Sequence, residues 1–225
     1  MTPTLRNTVL HSRRAKTAPK VLALFASAAL ACAMSMTFTP SASAGSPSFD
    51  CAKASGRAEK TVCGDRELSS LDQEAARLYA LALKSANPKQ AAAMKADAAG
   101  WKTRRDDCWL AQETRSCIIA AYARRIHRLL EKHEQVRVAD NALARGPYVL
   151  NCRKIDQPVT ATLIESNPPV GAIEWRNAVH VGVADGDRFV ERSDYGAEGV
   201  AFEIRGQEAR IQLPDGRQFF CARQQ

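Results

Sequence analysis

GPYVLNCRKIDQPVTATLIESNPPVGAIEWRN, residues 146–177, is the stretch whose reading decides the fold. Apolar and polar residues alternate through short runs rich in β-branched and aromatic side chains. That period of two places successive side chains on opposite faces of an extended strand. Asn167-Pro168-Pro169 interrupts it as a turn. Downstream, AVHVGVA (178–184), DRFVERS (187–193), GVAFEIR (199–205), ARIQL (209–213) and RQFFCA (217–222) repeat the pattern. Asp185-Gly186-Asp187 and Pro214-Asp215-Gly216 punctuate them. Eight short strands in the 79 residues from 147 to 225 read as a small closed antiparallel barrel or a sandwich. Cys152 falls on the first strand and Cys221 on the last. A bridge between them closes a loop of roughly 70 residues, worth about 4 kcal/mol in the chain-entropy picture.

Upstream the period changes. In RELSSLDQEAARLYALALKSA (66–86), Leu68, Leu71, Ala75, Leu78 and Ala82 recur at helical steps, with Asp65 as N-cap. Asn87-Pro88 ends that helix and starts a second, about 88–106, with Met94, Ala98 and Trp101 on one stripe. RDDCWLAQETRSC (105–117) reads as a polar turn, with Asp106 and Asp107 as capping and solubility residues. A third helix, about 115–133, aligns Ile118, Tyr122, Ile126 and Leu129. Residues 134–146 extend it or link it to the barrel. Three short helices bury little apolar surface, so covalent ties are expected. Cys51, Cys63, Cys108 and Cys117 can gather at one end of this bundle, in any of three pairings.

Residues 1–44 read as an export signal. Arg6, Arg13, Arg14, Lys16 and Lys20 precede the apolar run VLALFASAALA (21–31), and Ala42-Ser43-Ala44 offers a small-residue cleavage site. The run is short for a stable membrane span. Leu30-Ala31-Cys32 resembles a lipoprotein box with Ala29 where a larger aliphatic is usual, so anchoring through Cys32 is the alternative to a cleaved, periplasmic chain. Cleavage after Ala44 leaves six cysteines, an even set that suits disulfides in an oxidising compartment. No Cys-x-x-Cys occurs, which argues against a zinc ribbon. The five basic residues of the signal account for most of the formal charge of +8; the rest is 27 basic against 24 acidic residues, which is no nucleic-acid footprint.

The remaining histidines, His127, His133 and His180, form no nucleophile motif, and no phosphate-binding glycine loop is present. His127 and His133 read as solvated residues on an arginine- and lysine-rich helix, and His180 as a residue of a wet barrel face. Trp101 reads as core, Trp109 as a turn residue and Trp175 as core or exposed; an exposed Trp109 beside basic residues would mark an interaction surface on the helical half.

Two resemblances extend this reading. Phe49-Asp50-Cys51-x-Lys53-Ala54, Glu59-Lys60-x-x-Cys63, Leu68, Leu71-Asp72, Tyr79, Trp101, Arg104-x-x-x-Cys108, Cys117 and Tyr122-x-x-Arg125-Ile126 resemble the N-terminal domain of the LprI family of lysozyme inhibitors, over about 48–130. Tyr148-x-x-x-Cys152, Pro168-Pro169, Tyr195, Phe202, Arg205-Gly206-x-Glu208-Ala209 and Cys221 resemble the MliC/PliC inhibitors of c-type lysozyme, an eight-stranded barrel family, over about 147–223. Together they imply an α+β chain in two domains. A disulfide-tied three-helix module (45–133) and a linker (134–146) precede an eight-stranded antiparallel β-barrel (147–225). They imply a non-catalytic protein without cofactor or metal that binds lysozyme, c-type favoured.

In the barrel family a loop serine and a lysine reach the two carboxyl groups of the lysozyme cleft, where charge-assisted bonds contribute about 1.5–3 kcal/mol each. Aligned on Tyr195, Glu191 takes the place of the serine and Arg205 that of the lysine, with Ser193 as an alternative serine. The expected lysozyme contacts are Ser193, Glu191, Tyr195, Arg205 and Gly206. The barrel half has 9 basic and 11 acidic residues, the helical half 18 and 13, so a basic lysozyme is steered weakly toward the barrel.

Overall fold

The computed structural model describes residues 45–137, 142–193 and 197–224. The expected signal segment and Tyr195 lie outside them. Among the described residues, four helices precede eight strands. They are α1 (Arg57–Gly64), α2 (Arg66–Lys84), α3 (Pro88–Asp106) and α4 (Thr114–Lys132). Short 3-10 turns occur at Cys51–Lys53, Asp107–Leu110 and Glu134–Val136.

The helix starts follow local chemistry. Asp65 accepts from the Glu67 and Leu68 amides at 2.9 and 3.1 Å, satisfying donors that α2 leaves free. Asn87 and Gln90 exchange side-chain-to-backbone bonds of 2.9 Å, with Pro88 at the first position of α3. Helix α1 is the one the sequence pattern did not reveal. RAEKTVCG is polar but for Ala58 and Val62, four apart, and both are buried. Glu59 turns back to the Ser55 amide at 3.2 Å and steadies its start.

The disulfides pair local neighbours: Cys51–Cys63 ties the first 3-10 turn to α1, and Cys108–Cys117 ties the turn after α3 to α4. A buried polar chain crosses the bundle behind them. The Tyr122 hydroxyl donates to Asp72 at 2.8 Å and accepts from the Arg105 guanidinium at 3.1 Å. Arg105 is itself buried, bonded to Asp106 and set over the rings of Phe49 and Trp101. Asp106, partly exposed, thus neutralises a buried arginine, while Asp107 stays exposed as the sequence suggested.

Strands β1 (Ala144–Cys152), β2 (Val159–Ile164), β3 (Val170–Trp175), β4 (Ala178–Asp185), β5 (Arg188–Arg192), β6 (Glu198–Arg205), β7 (Glu208–Gln212) and β8 (Gln218–Arg223) form a closed antiparallel barrel in sequence order. Closure joins β1 to β8, with Cys152 opposite Cys221, and the expected bridge is present. Closure leaves no free sheet edge. Leu150, Val159, Ala161, Ile173, Phe202 and Ile211 fill the interior. Phe189 and Phe202 stack at 5.2 Å, and Gly171 makes room for them: a Cβ there would lie 2.7 Å from the Phe202 ring.

The opposite faces of β2–β4 are not solvated. Ile164, Val170, Ala172, Val179 and Val181 belong to one buried cluster with the helices. Helix α4 consequently buries two faces. Ile118, Tyr122, Ile126 and Leu129 form the stripe that the sequence displayed; Ile119, Ala123, His127 and Leu130 form the second. Each fully buried Ile or Leu contributes about 1.5–3 kcal/mol. Of the segment read as extension or linker, Val136 is buried in the same cluster and Ala144 opens β1.

His127 corrects its expected place on a solvated face: it is fully buried. Its Nδ1 lies 2.9 Å from the Thr162 hydroxyl of β2. Its Nε2, 3.4 Å from Glu174 of β3, lacks a hydrogen-bond partner. Removal from water outweighs the Glu174 carboxylate and pulls the imidazole down to about 4. The residue is a neutral plug between helix and barrel.

Candidate interaction surfaces

The antiparallel order sends the barrel turns alternately to two ends. At one end, Gly206, with φ +60°, opens the two-residue turn between β6 and β7, a position that favours glycine. Arg205 stands beside it and bonds Asp187 of the neighbouring β4–β5 turn at 2.8 Å; Glu203 is 3.5 Å away. Glu203 also holds Arg210 at 2.7 Å. Arg205 is well exposed, so its pair with exposed Asp187 is worth roughly 0–1 kcal/mol and yields readily to another carboxylate. Arg153, Glu203, Arg205, Arg210 and exposed Phe220 line a shallow depression of about 470 Å³ on the outer face next to this turn. The Phe219-Phe220 doublet carried a signal for it, because a period of two must turn one of two adjacent rings outward.

At the other end, Ser193 closes the base of the β5–β6 loop. Its amide donates to Ala197 O at 2.9 Å, and its hydroxyl accepts from the Ala197 amide at 3.2 Å. Glu191 lies against Gly199 and is already paired. It accepts from His180 Nδ1 at 2.9 Å and from the Val200 amide, and Arg124 of α4 lies 3.9 Å away. Burial alone pushes this carboxyl up, but His180, the Val200 amide and Arg124 together hold it below the usual carboxylate range. His180 is accordingly half-buried and paired. The structure thus brings Arg205 and Gly206 together. It does not bring Ser193 or Glu191 to them: the seven residue steps of β6 separate Ser193 from Arg205, roughly 23 Å at about 3.3 Å per residue, and Glu191, beside Val200, is five steps or roughly 17 Å away.

A third surface lies on the helical half. Trp109 and Leu110 are 49% and 68% exposed, on a turn that Cys108–Cys117 holds rigid. Arg57 sits 5.8 Å over the Trp109 ring. Trp101 packs edge-on against Tyr122 and donates to Ala121 O, as a core residue does. Trp175 packs against Phe219 at the barrel core.

Among the described residues no three His, Cys, Asp or Glu side chains gather as metal ligands, and no helix is long and apolar enough to cross a membrane.

The chain is 30% identical over 210 residues to Lipoprotein LprI of Mycobacterium bovis, covering 89% of this chain and 95% of the relative. The same figures hold for Lipoprotein LprI of two Mycobacterium tuberculosis strains. A match of that extent spans helices and barrel alike. No protein-family model matches the chain. No solved structure matches it.

Proposed function

We propose, from the premise that this chain belongs to the LprI lipoprotein family, that it is a non-catalytic lysozyme inhibitor of the bacterial envelope. The observation that carries this reading is the extent of the match, which includes nearly all of both proteins. The barrel is read as an MliC/PliC-like domain that plugs the cleft of a c-type lysozyme. The contact is assigned to the Arg205–Gly206 turn and the adjoining depression with Phe220. Arg205 offers a planar fork to a cleft carboxylate, on a closed barrel that loses little freedom on binding. The Ser193–Tyr195 loop and Glu191 are a separate region to be tested apart from it.

The relatives' name favours a lipid anchor at Cys32 over cleavage after Ala44; either route places the chain in the envelope. Labelling with a radioactive fatty acid, lost in Cys32→Ala, distinguishes the two.

The decisive experiment titrates the protein lacking its first 44 residues into a c-type lysozyme lysing cell-wall substrate. Turnover falls with added inhibitor, and Arg205→Ala raises the half-inhibiting concentration about tenfold or more, the equivalent of one charge-assisted bond. Full lysis at excess wild-type protein ends the c-type reading. A second reading, a helical half that docks on another envelope protein, is favoured by the exposure of Trp109 beside Arg57. It gains if the wild-type protein leaves lysozyme turnover unchanged while crosslinking in cells captures another envelope protein, a capture that Trp109→Ala loses.

A further inference from the structure

A crevice on the helical half is independent of any lysozyme contact. It has a volume of about 150 Å³, and its walls include Trp101, the Cys108–Cys117 bridge and four arginines: Arg104 of α3, and Arg124, Arg125 and Arg128 of α4. Asp97 is its one acid, and it pairs with Arg125. Arg125 is buried and held over the rings of Trp101 and Tyr79. Arg124 is fixed too. Its Nε donates to Val179 O at 3.2 Å, and the carboxylate nearest to it, Glu191, already accepts from His180. Arg104 and Arg128 have no ion-pair partner among the described residues and are exposed, free to swing.

Two guanidinium groups without a carboxylate partner, and a third, Arg124, whose Glu191 is shared with His180, therefore meet in one small crevice. Arg124 and Arg128, one turn apart on the same helix, repel each other. Burial with Arg128 beside it pulls Arg124 below the usual guanidinium range, although Glu191 opposes this. Such an arrangement lacks a counter-anion. A carboxylate is planar and is satisfied by one arginine fork, whereas forks arriving from two helices suit a tetrahedral oxyanion with several acceptor oxygens. The volume admits a single phosphate group and little else.

We infer that the crevice between α3 and α4 binds a phosphate group, held by Arg124 at its wall and closed over by Arg104 and Arg128. Free phosphate and the headgroup of an anionic phospholipid share this chemistry. The test is a thermal unfolding series of the protein lacking its first 44 residues in sodium phosphate against sodium chloride of equal ionic strength, for wild type and Arg104→Ala/Arg128→Ala. Because both arginines are exposed, the variant keeps the fold, which circular dichroism checks.

The expected result is a phosphate-dependent rise in the wild-type midpoint, with the variant needing at least about tenfold more phosphate for the same rise. No rise in the wild type overturns the site. So does an equal rise in the variant, which is the general stabilisation that phosphate gives any folded chain. With the rise established, cosedimentation with phosphatidylglycerol vesicles, absent in the variant and with phosphatidylcholine, assigns the phosphate to a lipid. Failure to sediment assigns it to a soluble phosphate.

Discussion

The helical half closes two loops of 12 and 9 residues with Cys51–Cys63 and Cys108–Cys117, whereas the barrel closes one of 69 with Cys152–Cys221. The helical half buries charges, Asp72 and Arg105 joined through Tyr122; the barrel interior is built of Val, Ile, Leu and Phe. The difference reflects what each topology lacks. Helices satisfy their own backbone and need positioning at their ends, which short bridges and caps provide. A barrel needs its first and last strands brought together, a closure that costs chain entropy over the whole sequence between them.

This contrast is broken most severely at the long bridge. Loop-entropy scaling assigns about 4 kcal/mol to Cys152–Cys221 and about 3 kcal/mol to either short bridge. Cys152→Ser/Cys221→Ser is therefore expected to lower the denaturant midpoint more than Cys108→Ser/Cys117→Ser. The reverse order in urea titrations would show that local pinning, not strand closure, limits stability.

The joint between the halves gives the next largest effect. His127 titrates near 4 in the folded chain against an ordinary value of 6.5. Between those values the unfolded chain takes up a proton that the native joint refuses. Stability is complete above 6.5 and falls through the window as pH drops, by about 3 kcal/mol in all. His127→Gln flattens that part of the curve, read by unfolding at a series of pH values. An unchanged slope would place the acid sensitivity in carboxylates elsewhere.

The smallest effect sharpens the helical side alone. Asp65→Ala removes the cap of α2 and the 2.6 Å pair with Arg115, and costs about 1–2 kcal/mol. Trp101 and Trp109 lie on that side and Trp175 on the other, so fluorescence of single-tryptophan versions shows which half responds.

How much of this was legible depends on whether the signal was local. Strand alternation, the Asn167-Pro168 and Asp185-Gly186 turns, the Asp65 cap and Pro88 are written in adjacent residues, and the eight strands and three longer helices follow from them. Helix α1 escaped because two buried residues in eight make no visible stripe. The plug at His127 escaped because α4 has two buried faces, and the arginines between them suggested solvent. Alignment along the chain does not register that antiparallel β6 sets Ser193 and Arg205 at opposite ends of the barrel.

The apolar outer wall of β2–β4 has a practical consequence for anyone who would dissect this protein. A fragment beginning at Pro147 would keep its bridge and its interior, yet present Ile164, Val170, Ala172, Val179 and Val181 bare to solvent. Its fate would be self-association or capture by a chaperone, and a binding assay on such a fragment would measure stickiness before it measured recognition.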